Sequence, residues 1–348
     1  ASVFGSIQRD SYVDGGYAQL GSENSVENSD YPNGGYAFKN NYLSQGFAFE
    51  PTLNYNKTID KHSFTVLAGY SYRYNIEEGA KANTRGFLND QFNEDNMNAG
   101  QALADGKSGL GSFKNDNTLI AFFGRINYAF NNKYLAQFIL RREGSSRFGD
   151  NNKWGSFPAV SVGWNVTEEK FMENVKWVNN LKLRVGYGVT GNSGFTNNAS
   201  RVLLTTGGKY LYPDGAYRET YGPGRNPNPF LKWESKSETN IGADFALFNS
   251  KLSGSIDVFD RTTKDLLDLY TTPQPPYIQN TIYANVGNIS SKGIELALTY
   301  QAIKTKDLTF SMDFTGSTIK NKLNSYSDGT FKVQYRTFGS IGGAGDLG

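Results

Sequence analysis

Side chains alternate between apolar and polar, residue by residue, through most of this chain, and a period of two marks strands with two unlike faces. Between Ser63 and Tyr74, the residues Phe64, Val66, Ala68, Tyr70, Tyr72 and Tyr74 share one face, opposed by Ser63, Thr65, Gly69, Ser71 and Arg73. The pattern returns at Ile120, Phe122, Gly124, Ile126, Tyr128 and Phe130, where Phe123 intrudes on the polar side. It is cleanest at Leu181, Leu183, Val185, Tyr187 and Val189, opposed by Lys182, Arg184, Gly186, Gly188 and Thr190. Further runs lie at 240–247, 252–259, 293–300 and 308–315, with additional candidates near 1–9, 44–57, 133–143 and 157–166. About eleven strands are predicted, many near the roughly 9–11 residues that cross a bilayer at a tilt.

The connections alternate in length. Short links are expected at 59–62, 131–133, 248–251 and 301–307, and long ones at 10–43, 75–117, 144–156, 191–236, 262–282 and 320–348. This places tight turns at one end of the strands and long loops at the other, as in an antiparallel transmembrane β-barrel with short periplasmic turns and long extracellular loops. The fold class is therefore all-β. One longer link on the short side, 167–180, reads as a small helix capped by Thr167 with Glu168 and Glu169 in its first turn. Aromatic residues such as Tyr128, Phe130, Tyr134, Trp164, Phe248 and Tyr300 gather near strand ends, where interfacial girdles form.

Composition agrees. A hydrophobic content of 38% is low, yet a barrel strand shows lipid only every second side chain. No apolar run is long enough for a membrane-spanning helix. A net charge of +2 gives no electrostatic case for nucleic acid. The absence of cysteine excludes disulfides and thiolate sites, and His62, the only histidine, leaves no histidine metal cluster or serine triad. The adjacent Glu168 and Glu169 lie on the turn side, so no enzyme is expected.

Several segments resemble one family in order over roughly residues 50–322. They include Phe123-Gly124-Arg125-Ile126-Asn127-Tyr128, Arg141-Arg142-Glu143-Gly144-Ser145-Ser146-Arg147-Phe148-Gly149, Asn226-Pro227-Asn228-Pro229, Leu231-Lys232-Trp233-Glu234, and Asn285-Val286-Gly287-Asn288-Ile289 with Lys292-Gly293-Ile294-Glu295. These resemble the SusC/RagA-type TonB-dependent outer-membrane transporters; Glu143 stands where that family more often has Asp, which keeps the charge. The resemblance implies a plugged barrel of about 22 strands that imports oligosaccharides or peptides. It further implies a SusD-like lipoprotein lid, TonB acting through an N-terminal part, and outer-membrane lipid as partners. Residues 1–348 are then expected to be a partial barrel domain, with the plug and the C-terminal strands absent and the glycine-rich 342–348 a cut end.

Because they mostly alternate with apolar neighbours, Arg125, Arg141, Arg184, Asp244, Asp257, Glu295 and Asp313 are expected to face the lumen as a charged wall. The loop 201–233 carries Tyr210, Tyr212, Tyr217, Tyr221 and Trp233, whose rings can stack on sugars or grip a peptide; loop packing or contact with the lid protein is the alternative role. No cofactor is expected, although Asp90, Glu94, Asp95 and Asp105, like Asp150-Asn151-Asn152, offer oxygens for a loop-bound calcium ion. A second functional class fits the aromatic loops as well: a secreted or surface-attached carbohydrate-binding or adhesive β protein.

Overall fold

Backbone groups in a non-aqueous environment must be paired, and strands in a continuous ladder meet that demand. The computed structural model describes residues 1–26 and 30–326; the end string 342–348 lies outside them. In chain order the strands are β1 (Ser2–Ala18), β2 (Gly35–Ile59), β3 (His62–Phe87), β4 (Gly109–Phe130), β5 (Tyr134–Ser145), β6 (Trp154–Asn165), β7 (Val178–Asn192), β8 (Leu204–Leu211), β9 (Tyr217–Pro223), β10 (Glu234–Leu247), β11 (Leu252–Lys264), β12 (Leu267–Thr271), β13 (Thr281–Asn285), β14 (Asn288–Lys304) and β15 (Thr309–Ser325). Eleven of them form one sheet in the order β1-β2-β3-β4-β5-β6-β7-β10-β11-β14-β15, while β8-β9 and β12-β13 are separate two-stranded sheets. The described helical segments span only three or four residues. Two compact units are present: the smaller holds Ser2–Pro51 and Ser71–Ile120, the larger Thr52–Tyr70 and the chain from residue 121 onward.

In the larger unit, cross-strand register lines up each face. One row reads Ala136, Val162, Val185, Ile241, Val258, Ile294 and Thr318. The next row, one residue over, reads Leu135, Gly163, Arg184, Gly242, Asp257, Glu295 and Ser317. The oily row is the uncovered one: Val162, Ile241 and Val258 are 52%, 57% and 49% exposed. A sandwich or an adhesive module would bury such a row against a second layer, whereas a membrane barrel turns it to acyl chains.

Aromatics that break the alternation lie flat over glycines on the polar face. Phe259 is 3% exposed, and a Cβ on Gly293 would sit 2.5 Å from its ring and 2.2 Å from the Thr318 carbonyl oxygen. Phe123, on the polar side of β4, covers Gly69 in the same way, a Cβ there falling 2.4 Å from the ring. The rings shield backbone that a side-chain-free position leaves open.

Three features differ from the sequence expectation. Strands outlast the apolar alternation at the long-loop end, so that 75–87 is the end of β3 and 10–18 the end of β1. Such stretches mix polar and apolar residues on both faces, and strand pairing does not require an oily face beyond the lipid. The link 167–180 holds two short 3-10 turns, Val166–Glu168 and Lys170–Met172, and Thr167 makes no capping bond. Glu169 is instead drawn to Tyr134 Oη (2.7 Å), Lys133 Nζ (3.1 Å) and Trp164 Nε1 (3.1 Å). Finally, the loop 191–236 contains the hairpin β8-β9, and the hairpin β12-β13 spans 267–285, running past the expected end of the loop 262–282.

Tight links use residues that tolerate left-handed backbone: Asp60 (φ 49°), Asn131 (φ 52°) and Asn132 (φ 56°). Phe248 adopts φ 56° as well, where a bulky residue is strained, and it is held by stacking on Trp177 at 5.8 Å and by donating its N–H to the Trp177 carbonyl.

The two faces make opposite demands on one substitution. Ile256→Arg, on the oily face, is expected to cost about 2–4 kcal/mol when the barrel folds into a bilayer. Ser255→Arg, the neighbouring residue directly opposite Asp244, is expected to cost under about 1 kcal/mol because a carboxylate and water await it. Denaturant titration of bilayer-inserted protein by tryptophan fluorescence measures both, and equal costs would contradict the assignment of faces.

Candidate functional site

The long-loop end of the larger unit is built around asparagine side chains that replace secondary structure. Asn226 is 4% exposed. Its Nδ2 donates to the carbonyls of Gln279 (2.6 Å) and Thr281 (3.0 Å), while its Oδ1 accepts the N–H groups of Ile278 (3.2 Å) and Gln279 (3.1 Å). Asn228 Nδ2 donates to the Tyr283 carbonyl at 2.8 Å, and Asn285 Nδ2 to the carbonyls of Lys232 (2.8 Å) and Asp265 (3.0 Å). An amide carries donors and acceptors on one plane, so each asparagine stands in for a missing ladder partner. The flanking Pro227 and Pro229 lack N–H groups and hold the segment extended.

A second loop closes on this brace. Gly149 donates its N–H to the Leu231 carbonyl at 3.2 Å, and a Cβ on Gly149 would lie 1.8 Å from the Pro229 carbonyl oxygen. Phe148, 1% exposed, packs on Trp233 and Phe195 at 4.7 and 5.1 Å. Arg147 reaches from the same turn to Asn197 Oδ1 and the Ser193 carbonyl, both at 2.7 Å. None of these asparagines was selected from the sequence as functional; the signal was the Asn-Pro-Asn-Pro run itself, which has no periodicity.

The hairpin β8-β9 leaves from this base, its neck closed by the Gly224 N–H bonded to the Leu203 carbonyl at 2.8 Å. Every residue of β8 is exposed. Tyr210, Tyr217 and Tyr221 are 64%, 68% and 72% exposed. Tyr212 stands edge-on to Tyr210 at 5.9 Å beneath the Arg218 guanidinium at 5.0 Å. Four of the five selected aromatics therefore share one hairpin. Trp233 does not join them: it is 8% exposed, wedged between Phe148 and Phe157, with its indole N–H given to the Lys153 carbonyl. The sequence placed it with the ligand rings because it ends the same loop, but its faces are occupied.

All seven selected charged residues fall on the polar face. Arg184 forms a two-pronged pair with Asp244, Nε and Nη2 each at 2.8 Å, and reaches Asp257 at 3.2 Å, so one guanidinium ties three strands. Glu295 lies opposite Asp257 and 3.9 Å from Arg261. Asp313 accepts the Thr299 hydroxyl at 2.6 Å. Arg141 pairs with Glu143 and lies 5.6 Å above the Phe123 ring. Arg125 follows the parity of Asn127, which accepts a bond from Gln137 on this face at 2.7 Å; its Nε is buried with no partner among the described residues. A hollow of about 450 Å³ on the same face is lined by Asn127, Gln137, Lys182, Arg184 and Asn240.

In the smaller unit the loop carboxylates are engaged separately. Asp90 accepts from Tyr17 Oη (2.9 Å) and the Leu20 N–H (3.0 Å), and Asp95 pairs with Lys39 (3.2 Å). Asp105 accepts from Tyr31 Oη (2.7 Å) and Gln101 (3.0 Å). No group of three or more His, Asp or Glu converges among the described residues. The hydrogen bond from Tyr31, then that from Gln101, holds the Asp105 carboxyl below its usual range, and the same contact lifts the Tyr31 hydroxyl to about 12.

Two outcomes follow from these braces. Asn226→Ala removes four backbone partners and is expected to cost about 1–3 kcal/mol locally, read as faster amide exchange over 267–285 with little change in the sheet. For Asp105 the folded pKa is depressed, so its contribution is complete above the unfolded carboxyl value and is lost as pH falls through the lower folded value. The protection of amides over 88–108, taken relative to the intrinsic exchange rate at each pH, is therefore expected to stay flat from pH 7 to about 4 and to fall below it, with Tyr31→Phe moving that fall to higher pH.

Comparison with known proteins matches this geometry. The family described as TonB dependent receptor-like, beta-barrel, matches residues 4–345. TonB-dependent receptor P39 of Formosa agariphila is 35% identical over 289 residues, which cover 81% of this chain and 26% of that protein. TonB-dependent receptor SusC of Bacteroides thetaiotaomicron is 30% identical over 312 residues, covering 84% of this chain and 30% of SusC. The solved RagAB peptide transporter superposes with a TM-score of 0.79 at 26% identity, over 93% of this chain and 34% of that one. The chain thus spans between a quarter and a third of the relatives it matches. It belongs to the TonB-dependent receptor β-barrel family of the bacterial outer membrane, and within it to the SusC/RagA type.

Proposed function

We propose that this chain forms part of the wall and outer mouth of an outer-membrane importer for oligosaccharides or peptides. TonB drives that importer, and a SusD-like lipoprotein closes over its long-loop end. The observation that carries this reading is the braced loop base from which the hairpin β8-β9 projects its tyrosines, above a sheet whose polar face is lined with charge. Isolated two-stranded hairpins are marginal in water, so a hairpin exposed along β8 and rooted on a rigid base suits a surface completed by a ligand or a lid. The similar RagAB transporter is a peptide transporter, which supports the peptide reading; the oligosaccharide reading rests on the resemblance to the SusC/RagA type. The role of the seven charged residues is to keep the inner wall hydrated and the register fixed, with Tyr210, Tyr212, Tyr217 and Tyr221 meeting cargo or lid.

The soluble adhesive alternative is disfavoured by the uncovered oily row through Val162, Ile241 and Val258, which water would not tolerate as one continuous band.

Replacing Tyr210, Tyr217 and Tyr221 together by Ala is expected to lower uptake at limiting nutrient by about tenfold or more, with outer-membrane abundance unchanged. Growth of the native host on single glycans or peptides, with the intact protein quantified in the outer membrane, measures this. Unchanged uptake would remove the hairpin from the proposal.

A further inference from the structure

On four neighbouring strands, β10, β11, β14 and β15, the outward face changes character sharply toward the long-loop end. Above the row Ile241, Val258, Ile294 and Thr318 comes Thr239, Asp260, Lys292 and Lys320, then Ser237, Thr262, Ser290 and Lys322. Lys264, opposite Ser235 and Asn288, continues the same parity. These positions share the face of the oily row, because residues directly opposite across a ladder point the same way. Below them, the outward positions of β11 and β14 (Leu252, Gly254, Ile256 and Val258; Ile294, Leu296, Leu298 and Tyr300) carry no charge. Lysine is therefore kept off this face until the oily band ends, and then appears four times.

The cluster carries excess positive charge. Lys292 pairs with Asp260 at 2.7 Å, and both remain at least half exposed. Lys264, Lys320 and Lys322 are exposed and have no ion-pair partner among the described residues. A shallow hollow of about 410 Å³ joins the two zones, lined by Ile241, Val258 and Ile294 at one end and by Thr239, Asp260 and Lys292 at the other. Its shape and polarity are those of an amphiphile with an anionic head and a hydrocarbon body.

We propose that this outward surface of β10, β11, β14 and β15 binds a phosphorylated glycolipid of the outer leaflet. Lys292, Lys320 and Lys322 hold its phosphate, and the Ile241, Val258 and Ile294 end holds an acyl chain. Lysine ammonium groups suit phosphate as strongly hydrated point charges, and basic clusters at the headgroup level recognise anionic lipids. The assignment rests on the long-loop end facing the cell exterior, where the outer leaflet lies; it does not depend on the cargo or the lid.

The test is native mass spectrometry of the intact outer-membrane protein containing this chain, titrated in detergent with diphosphorylated lipid A, its dephosphorylated form, and phosphatidylglycerol. Diphosphorylated lipid A is expected to bind at least about tenfold more tightly than either of the others. The combined Lys292→Gln, Lys320→Gln, Lys322→Gln variant is expected to lose about a hundredfold, near fivefold per lysine, and the corresponding arginine variant to retain binding. Heat-modifiable gel migration checks that each variant is folded. If the triple glutamine variant does not fold, Lys320→Gln alone is expected to lose about fivefold. Equal binding of dephosphorylated lipid A, or undiminished binding by a folded glutamine variant, overturns the site. Equal binding of phosphatidylglycerol overturns the glycolipid assignment. Absence of oligosaccharide or peptide uptake by the unsubstituted protein, with lipid binding intact, would instead count against the proposed cargo function alone.

Discussion

Strand register is the constraint on which the rest of this chain depends. A slip of one residue between any two strands would send the Val185, Ile241, Val258 row to the wet face and the Arg184, Asp257, Glu295 row to the oily one. Two devices hold it. Arg184 reaches both Asp244 and Asp257, so a displaced strand would leave a guanidinium or a carboxylate without its counter-charge. Phe259 seated over Gly293 is a steric key for the next pair, β11 and β14, since any side chain in place of that glycine collides with ring and backbone alike. Charge and shape therefore select one alignment, and the ladder hydrogen bonds follow from it.

How much of this was legible beforehand follows from where water and lipid impose a pattern. The strands 181–190, 252–258 and 293–300 alternate cleanly because one face must be oily, and β7, β11 and β14 contain them. Where no lipid acts, the pattern weakens while the pairing persists: the end of β3 beyond Asn75 and the exposed β8-β9 hairpin have no continuous oily row to betray them, and the β12-β13 hairpin buries one too short to read, Tyr270, Ile282 and Ala284 on strands of five residues. The 3-10 turns in place of a helix at 167–180 reflect a competition that the sequence does not announce. Glu169 does more by accepting bonds from Tyr134, Lys133 and Trp164 than by sitting in a first helical turn.

The site followed a similar division. All seven charged residues share the polar face, because parity within a strand is a local property. Trp233 misled, because burial in a loop is set by partners far along the chain, here Phe148 and Phe157. The asparagines at 226, 228 and 285 were silent for a related reason. An amide side chain that replaces a ladder partner looks, in sequence, like any polar loop residue, and only the carbonyls it faces distinguish it.

The neck of the β8-β9 hairpin has an evolutionary corollary. Its two ends meet at the Leu203–Gly224 hydrogen bond, while the asparagine brace and the aromatic plug of Phe148 and Trp233 lie wholly outside the excursion. Residues 204–223 therefore form a cassette: a genome can lengthen, shorten or exchange that stretch without retuning the joints beneath it. Paralogues drawn from one ancestor would be free to diversify there first, each acquiring a different recognition surface on an unaltered frame.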